Sequence, residues 1–357
     1  MPENRPSEAP RDPVEPAVEP PAVEPMLPLP FALEPREQRR PTLCLVLPAY
    51  NEEASLPLTH AALRDALDEL EVSWRLLFVN DGSRDGTAGV LERLYRQDER
   101  VGYLLLSRNF GHQAALTAGL EHAEGDVVIC MDADLQHPPA LLRTMLEAWR
   151  DGYDVVHTRK LATVDLSRGR AVATEVAYGL VSRVSEVTII PQASDYRLMD
   201  RQVLDALRSL PEKRRLYRGL TPWVGFRQCV LPYVAGARAA GASQYNLKQL
   251  FALFTRALFD FSDAPLYSAL IVGLAALGFS TLGLVVVAVA SLLGRAPASF
   301  GVGTALILFV GALNLCATGL VGAYVARIYA QVLGRPTYLV SRVRVRAPER
   351  REPPDAP

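Results

Sequence analysis

Short apolar runs and stretches with helical periodicity alternate along the middle of the chain. Each apolar run stops at proline, glycine or polar residues, which is typical of buried strands. Strands separated by helices indicate a parallel sheet with helices on both faces, an α/β fold. The pattern predicts strands over 42–47, 74–79, 102–106, 127–131 and 154–157, and helices over 54–70, 85–96, 111–123 and 140–150.

Two long segments near the carboxyl end, 266–293 and 300–326, contain no charged residue. Each exceeds the roughly 20 residues that a helix needs to cross about 30 Å of hydrocarbon. The alternative is a buried hairpin in a soluble core, but core helices normally have a polar face. We therefore expect two transmembrane helices. Basic residues flank both outer ends while the connecting loop holds only Arg295, so both termini are predicted to be cytoplasmic.

Composition divides the chain further. Residues 1–40 are rich in Pro and Glu, contain the near-repeat VEPAVEPPAVEP, and lack the features of a signal peptide, which predicts a disordered tail. A globular domain is expected over 41–240. Residues 241–264 form an amphipathic juxtamembrane segment that either lies in the membrane interface or packs on the globular domain. The two spans occupy 265–333, and 334–357 is expected to be a basic, Pro-rich cytoplasmic tail.

Charge and cysteine usage narrow the class of protein. The 357 residues carry a net charge of −1, so no basic excess suggests a nucleic-acid partner. The four cysteines are widely separated and match neither a metal-binding spacing nor a disulfide framework, which agrees with a reducing compartment.

Polar clusters follow three of the predicted strands: PAYNEE at 48–53, NDGSRDGT at 80–87 and DADLQ at 132–136. Because ligands of such sheets bind at the carboxyl ends of the strands, we expect Asp81, Asp132 and Asp134 to share one crevice. In extended chain Asp132 and Asp134 point the same way, while Ala133 packs away from the crevice. Two close carboxylates repel unless a cation neutralises them. Mg²⁺ or Mn²⁺ is therefore expected there, with Gln136 adding an oxygen; a solvated turn is the alternative.

The combination of motifs resembles the family 2 glycosyltransferases, which have the GT-A nucleotide-sugar-binding fold, a Rossmann-like α/β domain. PAYNEE, NDGS and the Asp-x-Asp of MDADLQHPP are the motifs of that family. The stretches SRNFGHQAALTAGL (107–120) and SDYRLMDR (194–201), with the terminal hairpin, are similar to the polyprenyl-phosphate glycosyltransferases, the group of bactoprenol glucosyltransferases and dolichol-phosphate mannose synthases. The resemblance covers about residues 42–335.

The resemblance implies roles for the residues that match these motifs. Asp81 would hold the base or ribose, and Asp195 would lie near the transferring sugar. Asp134 and Gln136 would ligate the metal on the donor diphosphate. The catalytic set is then Asp132, Asp134 and Asp195, and the nucleotide-sugar-binding residues are Pro48, Tyr50, Glu52, Asp81, Asp132 and Ala133.

The acceptor phosphate is expected on arginines, and four candidates match the family's region or motif. They are Arg159, Arg168, Arg170 and Arg238. The chain departs from the family after the strand expected near 228–233, because Ala235 stands where relatives have an arginine and Gln244 where they have a lysine.

Several other side chains have two interpretations. Glu53 either serves the site or favours the start of the following helix, and His112 with Gln113 either contributes to the site or only finishes a first helical turn. His137, beside Gln136, either softens the local negative charge or has no role, and we expect no role.

The resemblance implies an inverting, metal-dependent membrane enzyme of the cytoplasmic (inner) membrane. It would transfer a sugar, with UDP-glucose favoured, to undecaprenyl or another polyprenyl phosphate. Transfer of mannose from GDP-mannose, or of an amino-arabinose-type sugar, is the alternative. A processive polysaccharide synthase and a catalytically silent membrane scaffold are less favoured alternative functions. Gly and Ala in both spans would also permit a homo-oligomer.

Overall fold

The computed structural model describes residues 23–26, 34–36, 40–161, 190, 193–213, 215–234, 264–293 and 300–346. The strands in this part of the chain are β1 (Glu24–Pro25), β2 (Thr42–Ala49), β3 (Ser73–Asn80), β4 (Val101–Leu106), β5 (Val127–Cys130), β6 (Val155–Lys160), β7 (Ala193–Asp200), β8 (Gln228–Tyr233) and β9 (Val340–Arg344). The helices are α1 (Leu56–Asp68), α2 (Thr87–Gln97), α3 (His112–His122), α4 (Leu141–Arg150), α5 (Arg201–Ser209), α6 (Tyr217–Trp223), α7 (Ala264–Leu292) and α8 (Phe300–Val332).

All of these strands belong to one sheet, in the order β1-β8-β6-β7-β5-β2-β3-β4-β9. Strands β5, β2, β3 and β4 pair in parallel, as the sequence predicted. The sheet as a whole is mixed, which corrects the expectation of a parallel sheet. β7 is antiparallel to both β5 and β6 because it starts beside the end of β6, with Ala193 opposite Arg159.

The central strands are buried on both faces, and their side chains alternate between two cores. In β2, Leu43, Leu45 and Leu47 belong to one core, whereas Cys44 and Val46 belong to the other. Helices α1, α2 and α4 cover the first core, and α3, α5 and α6 cover the second. This two-sided covering fixes the sheet, so that the loops at its carboxyl edge start from rigid strand ends.

Edge strands extend the sheet at both sides, and both come from segments that the sequence predicted to be tails. β1 lies within 1–40 and pairs antiparallel with β8. β9 lies within 334–357 and pairs antiparallel with β4. The tail predictions are therefore wrong at these residues. The predicted juxtamembrane segment lies outside the described residues except for Ala264, which begins α7.

The two carboxyl-terminal helices contact each other. Within the described residues, one stretch, Phe309–Val332 in α8, is long and apolar enough to cross a membrane. The apolar stretch of α7, Ile271–Gly283, is shorter. The prediction of two long helices is thus confirmed, and in the part of the chain that the structure describes, α8 alone has a stretch long and apolar enough to cross a membrane.

Candidate functional site

The loops that follow β2 and β3 meet at the carboxyl edge of the sheet. The Asn51 backbone N–H donates to Ser83 Oγ at 2.9 Å, and the Asn51 side chain accepts from the Arg84 N–H at 2.9 Å. His112 at the start of α3 lies 3.7 Å from an Asp132 oxygen on the loop after β5. The predicted convergence of the polar clusters on one edge is confirmed.

Asp81 lies at the end of β3 and is only 3% exposed. Its two carboxylate oxygens accept backbone N–H bonds from Phe110 at 2.7 Å and Gly111 at 2.9 Å. Burial raises the pKa of Asp81, against the effect of these two hydrogen bonds. In this arrangement Asp81 holds the loop that leads into α3, and so it fixes the position of His112.

The predicted nucleoside-pocket residues lie at the end of β2 and in the loop that follows it. Pro48 is buried in the strand, and Tyr50, in the loop beyond it, is 42% exposed. Burial raises the pKa of Glu52 against a hydrogen bond from Ser55, and the nearby carboxylates of Asp134 and Asp132 raise it further. The Glu52 carboxylate therefore lies close enough to Asp132 and Asp134 for their charges to affect its pKa.

Glu53 has a structural function in this loop. Its carboxylate accepts the Gly86 backbone N–H at 2.9 Å, at the residue that precedes α2. A side chain on Gly86 would collide with this carboxylate, since an added Cβ would lie 2.3 Å from Glu53 Oε1. Glu53 is therefore an anchor between two loops, which is neither of the two interpretations from the sequence.

The Asp-x-Asp segment leaves the sheet earlier than the sequence suggested, because β5 ends at Cys130. Ala133 is buried and its carbonyl accepts from Thr59 at 2.8 Å, as expected for a residue that packs away from the crevice. Leu135 adopts a left-handed φ of 59°, which turns the chain. As a result the Gln136 backbone N–H and side-chain amide both donate to Asp134, at 3.1 and 2.5 Å.

The predicted metal ligands, Asp134 and Gln136, are thus in contact. Their oxygens suit Mg²⁺ or Mn²⁺, which commonly use one or two carboxylates together with water and substrate phosphates. Glu52, Asp132 and Asp134 also place several negative charges together, and a cation would relieve their repulsion. Among the described residues, no three His, Cys, Asp or Glu side chains are grouped to hold a metal by themselves.

Asp195 is 3% exposed at the start of β7 and is surrounded by donors. One oxygen accepts from Arg197 at 3.0 Å, and the other from Arg218 at 3.0 Å, with Gln113 at 3.3 Å. His112 Nε2 lies 3.3 Å from the same second oxygen. Burial acts to raise the pKa of Asp195, but the hydrogen bond from His112 and the charges of Arg218 and Arg197 hold it well below the usual range.

His112 connects the two acids, because its Nε2 lies 3.3 Å from Asp195 and 3.7 Å from Asp132. Burial acts to lower its pKa, but Asp195 and Asp132 raise it above the ordinary value. The structure therefore supports the interpretation that His112 contributes to the site. Gln113 contributes as well, because its side chain contacts Asp195. The only sequence signal was their place at the start of a helix.

His137 was expected to have no role, but the structure places it in contact with two polar groups. Its Nε2 lies 3.1 Å from an Asp132 oxygen and its Nδ1 lies 2.8 Å from the Tyr233 hydroxyl. Burial acts to raise the pKa of Asp132, but the hydrogen bond with His137 and the charge of His112 lower it. The partners Arg218 and Tyr233 were not identified from the sequence, since they lie far along the chain from the motifs.

Among the candidate acceptor residues, the structure describes only Arg159. It lies near the end of β6 and forms an ion pair with Glu24 of β1 at 3.0 Å. This ion pair joins Arg159 to the edge strand and not to Asp132 or Asp195. Arg168, Arg170 and Arg238 lie outside the described residues, as do the departures at Ala235 and Gln244.

Comparison with known proteins gives clear matches. Residues 44–208 match the family model described as Glycosyl transferase family 2. An uncharacterized glycosyltransferase of Synechocystis sp. (strain ATCC 27184 / PCC 6803 / Kazusa) is 35% identical over 311 residues, which cover 84% of this chain and 94% of the relative. A bactoprenol glucosyl transferase of Shigella phage SfII is 33% identical over 301 residues, which cover 84% of this chain and 97% of the relative.

Solved structures also match. A mannosyltransferase, PcManGT from Pyrobaculum calidifontis in complex with GDP-Man and Mn²⁺, superposes with a TM-score of 0.42 and 19% identity over 85% of this chain and 91% of that chain.

Proposed function

Because this chain belongs to glycosyltransferase family 2, we propose that it transfers a sugar from a nucleotide-sugar to a polyprenyl phosphate at a membrane. UDP-glucose is the favoured donor, and a relative named as a bactoprenol glucosyl transferase supports both this sugar and the lipid acceptor. The observation that carries the proposal is that Asp132 and Asp195 both lie close to His112, with carboxylate oxygens 3.7 and 3.3 Å from its Nε2. Asp134 follows Asp132 by two residues in the same loop.

The reaction needs little proton transfer. A phosphate oxygen of the lipid, already an anion at neutral pH, attacks the anomeric carbon of the sugar. The bond from this carbon to the nucleoside diphosphate breaks, and the electron pair leaves with the diphosphate, which inverts the anomeric configuration. Asp195 is suited to hold the sugar or the nucleophile, because a carboxylate with a strongly lowered pKa is a poor general base.

The departing diphosphate carries the largest negative charge of the reaction. Asp134 and Gln136 would hold Mg²⁺ or Mn²⁺, which when bound neutralises charge on the diphosphate. His112 takes the imidazolium form more readily than a free histidine, because Asp195 and Asp132 raise its pKa against the effect of burial. The nucleoside is assigned to the loop of Pro48, Tyr50 and Glu52 with Asp81, and the donor sugar to Asp132 and Ala133.

The lipid acceptor requires access from a membrane. Large apolar side chains are exposed along both carboxyl-terminal helices, for example Phe279 at 76% and Ile307 at 74%. Apolar surface of this extent is typical of contact with lipid. We assign α7 and α8 to a transmembrane hairpin of the cytoplasmic membrane, with the catalytic domain and both termini in the cytoplasm. Arg159, Arg168, Arg170 and Arg238 are assigned to the acceptor phosphate, because the planar guanidinium binds phosphate bidentately.

The decisive experiment measures nucleoside diphosphate release by detergent-purified full-length protein. UDP- and GDP-sugars are supplied in turn, with and without undecaprenyl phosphate and with Mg²⁺, Mn²⁺ or EDTA. Release with one donor that requires both lipid and metal supports the proposal and identifies the sugar. Release without lipid indicates a different acceptor, and absence of release by folded protein from every donor contradicts the proposal.

Asp134→Ala and Arg93→Ala provide the matched pair. Asp134→Ala removes a proposed metal ligand, and we expect release to fall by at least about 100-fold, because the charge on the departing diphosphate is no longer neutralised. Arg93 is exposed on α2 and belongs to none of the polar clusters, so its substitution should leave release unchanged.

A further inference from the structure

Asp132 is held by histidines on both of its oxygens. His137 Nε2 lies 3.1 Å from Oδ2, and His112 Nε2 lies 3.7 Å from Oδ1. The two contacts differ in setting, because the His137 side chain is 7% exposed and the His112 side chain 43% exposed. The buried contact is therefore the one that can fix the orientation of the carboxylate.

The His137 ring is itself held at the nitrogen that faces away from Asp132. Its Nδ1 lies 2.8 Å from the hydroxyl of Tyr233, which is buried at the end of β8. Its ring also packs against Tyr196 of β7, with ring centroids 5.1 Å apart, and against Tyr233 at 5.8 Å. Ring contacts on two sides and a hydrogen bond at the far nitrogen leave the imidazole one orientation.

The direction of one hydrogen bond follows from its partner. A carboxylate only accepts, so Nε2 carries a proton and donates to Asp132. Nδ1 shares the second hydrogen bond with the Tyr233 hydroxyl, which can donate or accept. His137 therefore links Tyr233 to Asp132 through its two ring nitrogens.

We infer that His137 is a positioning residue for sugar transfer, which holds the Asp132 carboxylate toward the donor and is itself held by Tyr233. The inference rests on the proposed function, because it requires Asp132 to contact the nucleotide-sugar. The geometry resembles that of metal-ligating histidines, whose far nitrogen is commonly held by a second polar group that sets the ring orientation. Here the oriented group is a carboxylate, and its orientation does not require the metal.

The test compares His137→Leu with His137→Gln. Leucine fills much of the space but donates no hydrogen bond, and we expect KM for the sugar donor to rise about tenfold with a smaller change in kcat, since a lost hydrogen bond to a charged group costs about that factor. The glutamine amide can donate to Asp132 and should recover most of the lost donor affinity. KM for the lipid should not change in either variant.

Tyr233→Phe tests the second link. It removes only the hydroxyl, and we expect donor KM to rise about threefold in the wild-type background, as for loss of a weaker neutral hydrogen bond. In the His137→Leu background the same change should have no further effect, because the hydroxyl acts through the imidazole. Equal effects of Tyr233→Phe in both backgrounds would overturn the inference.

His157→Leu is the matched control for loss of a buried histidine. His157 is 1% exposed in β6 and bonds Gln228 at 2.7 Å, with no recorded contact to Asp132. We expect it to lower the melting temperature without raising donor KM. If His137→Leu and His157→Leu lower Tm and raise donor KM alike, or if His137→Gln fails to recover donor affinity in folded protein, His137 is only structural.

Binding separates this inference from the proposed function. UDP-glucose binding is measured by calorimetry with Mn²⁺ and no lipid. If wild-type protein binds UDP-glucose but transfers nothing to the lipid, the proposed reaction fails while weaker binding by His137→Leu than by His137→Gln still supports the positioning role. Equal UDP-glucose affinity of wild-type and His137→Leu protein would contradict the role even if lipid-dependent transfer is found.

Discussion

At the scale of single residues, Asp195 has the most crowded surroundings in the site. Two guanidinium groups, an imidazole and an amide converge on one buried carboxylate. This carboxylate joins β7, α3 and α6, because its partners come from all three elements. Its charge is therefore needed for stability as well as for any contact with substrate.

Asp195→Asn should reduce both stability and activity. It leaves the side chain of Arg197, which is 1% exposed, without its counter-charge, and an unpaired buried charge costs about 3 kcal/mol or more. Thermal unfolding of the detergent-purified protein measures the loss. Asp205→Asn is the control, because its pairs with Arg201 and Arg208 lie at the surface, and exposed pairs contribute little. A melting temperature for Asp195→Asn equal to that of the control would contradict the expectation.

The advantage of wild-type protein over Asp195→Asn should also depend on pH. The folded pKa of Asp195 lies below the ordinary value of 3.8. The carboxylate is then charged in both states above that value, so the stabilisation is fully present there and declines only as pH falls toward the folded pKa. Unfolding curves from pH 7 down to pH 4 should show a difference between the two proteins that does not shrink, and that grows where His112 becomes protonated, because Asp195 favours its imidazolium form. A difference that disappears between pH 7 and pH 5 would be contrary to this assignment.

The acids of the site could be predicted from the sequence, but their partners could not. Asp81, Asp132 and Asp134 each lie within three residues of the end of an apolar run, so the strand pattern alone brings them to one edge. Arg218 and Tyr233 reach the same place through β7, β8 and α6, whose positions depend on the antiparallel insertion of β7. No local pattern indicates that insertion, and so the sequence did not show that Tyr233 would lie beside His137.

At the scale of elements, the position of α3 depends on a close approach to the sheet. Gly119 faces Val46 of β2 and Val79 of β3, and an added Cβ would lie 2.2 Å from Val46 Cγ1 and 3.0 Å from Val79 Cγ2. Both neighbours are β-branched and stiff. The absence of a side chain at Gly119 therefore sets how closely α3, with His112 and Gln113 at its start, lies against the strands.

Gly119→Ala should displace α3 and reduce donor turnover together with stability. Overpacking of this kind typically costs about 1–3 kcal/mol. Val46→Ala removes the nearer colliding methyl groups, so the double variant should be more stable than the sum of the two single changes. Gly89→Ala in α2 is the control, because its Cβ would meet only Arg93 at 3.7 Å. Strictly additive melting shifts for Gly119→Ala and Val46→Ala would show that the contact does not limit packing.

The edge strand β1 brings an acid to a proposed acceptor residue. Glu24 pairs with Arg159 at 3.0 Å, and both side chains are partly exposed, at 54% and 33%. A carboxylate in this place competes with a phosphate for the same guanidinium. Because exposed pairs are weak, the competition should be modest.

Glu24→Gln should lower KM for undecaprenyl phosphate by about twofold to threefold if Arg159 binds the acceptor phosphate, since the lost pair is worth at most about 1 kcal/mol. KM for the sugar donor should stay unchanged. Glu69→Gln, at an exposed position after α1, controls for the change in net charge. If Glu24→Gln and Glu69→Gln give the same lipid KM, Arg159 does not bind the acceptor in competition with Glu24.

At the scale of the whole molecule, the pairing of β9 with β4 constrains the topology. β9 follows α8 in sequence, yet it lies against the catalytic sheet with Leu104 opposite Val343. The segment between them also holds to the domain, because Thr337 donates to the Lys213 carbonyl at 2.7 Å. The sequence predicted the two helices from their uncharged runs but not this return, since a short basic strand resembles a tail in composition.

A paired strand cannot have a membrane between it and its partner. If α8 crosses the membrane, the chain between the catalytic domain and β9 must cross an even number of times, and α7 must then cross as well. The pairing of β9 therefore supports a membrane crossing by α7, which the short apolar stretch of α7 does not by itself indicate. It predicts that the end of α7 and the start of α8 lie on the opposite side of the membrane from β9.

Cysteine labelling in intact cells tests this topology. In a Cys316→Ala background, where the remaining cysteines are buried, Ser299→Cys should react with a membrane-impermeant maleimide. Ser341→Cys in β9 should react only after the membrane is opened, which also shows that this position is reactive. Protection of Ser299→Cys in intact cells, with labelling after lysis, would mean that the hairpin does not cross. In that case α7 and α8 would lie at the cytoplasmic surface, and the lipid phosphate would have to reach the crevice from the interface alone.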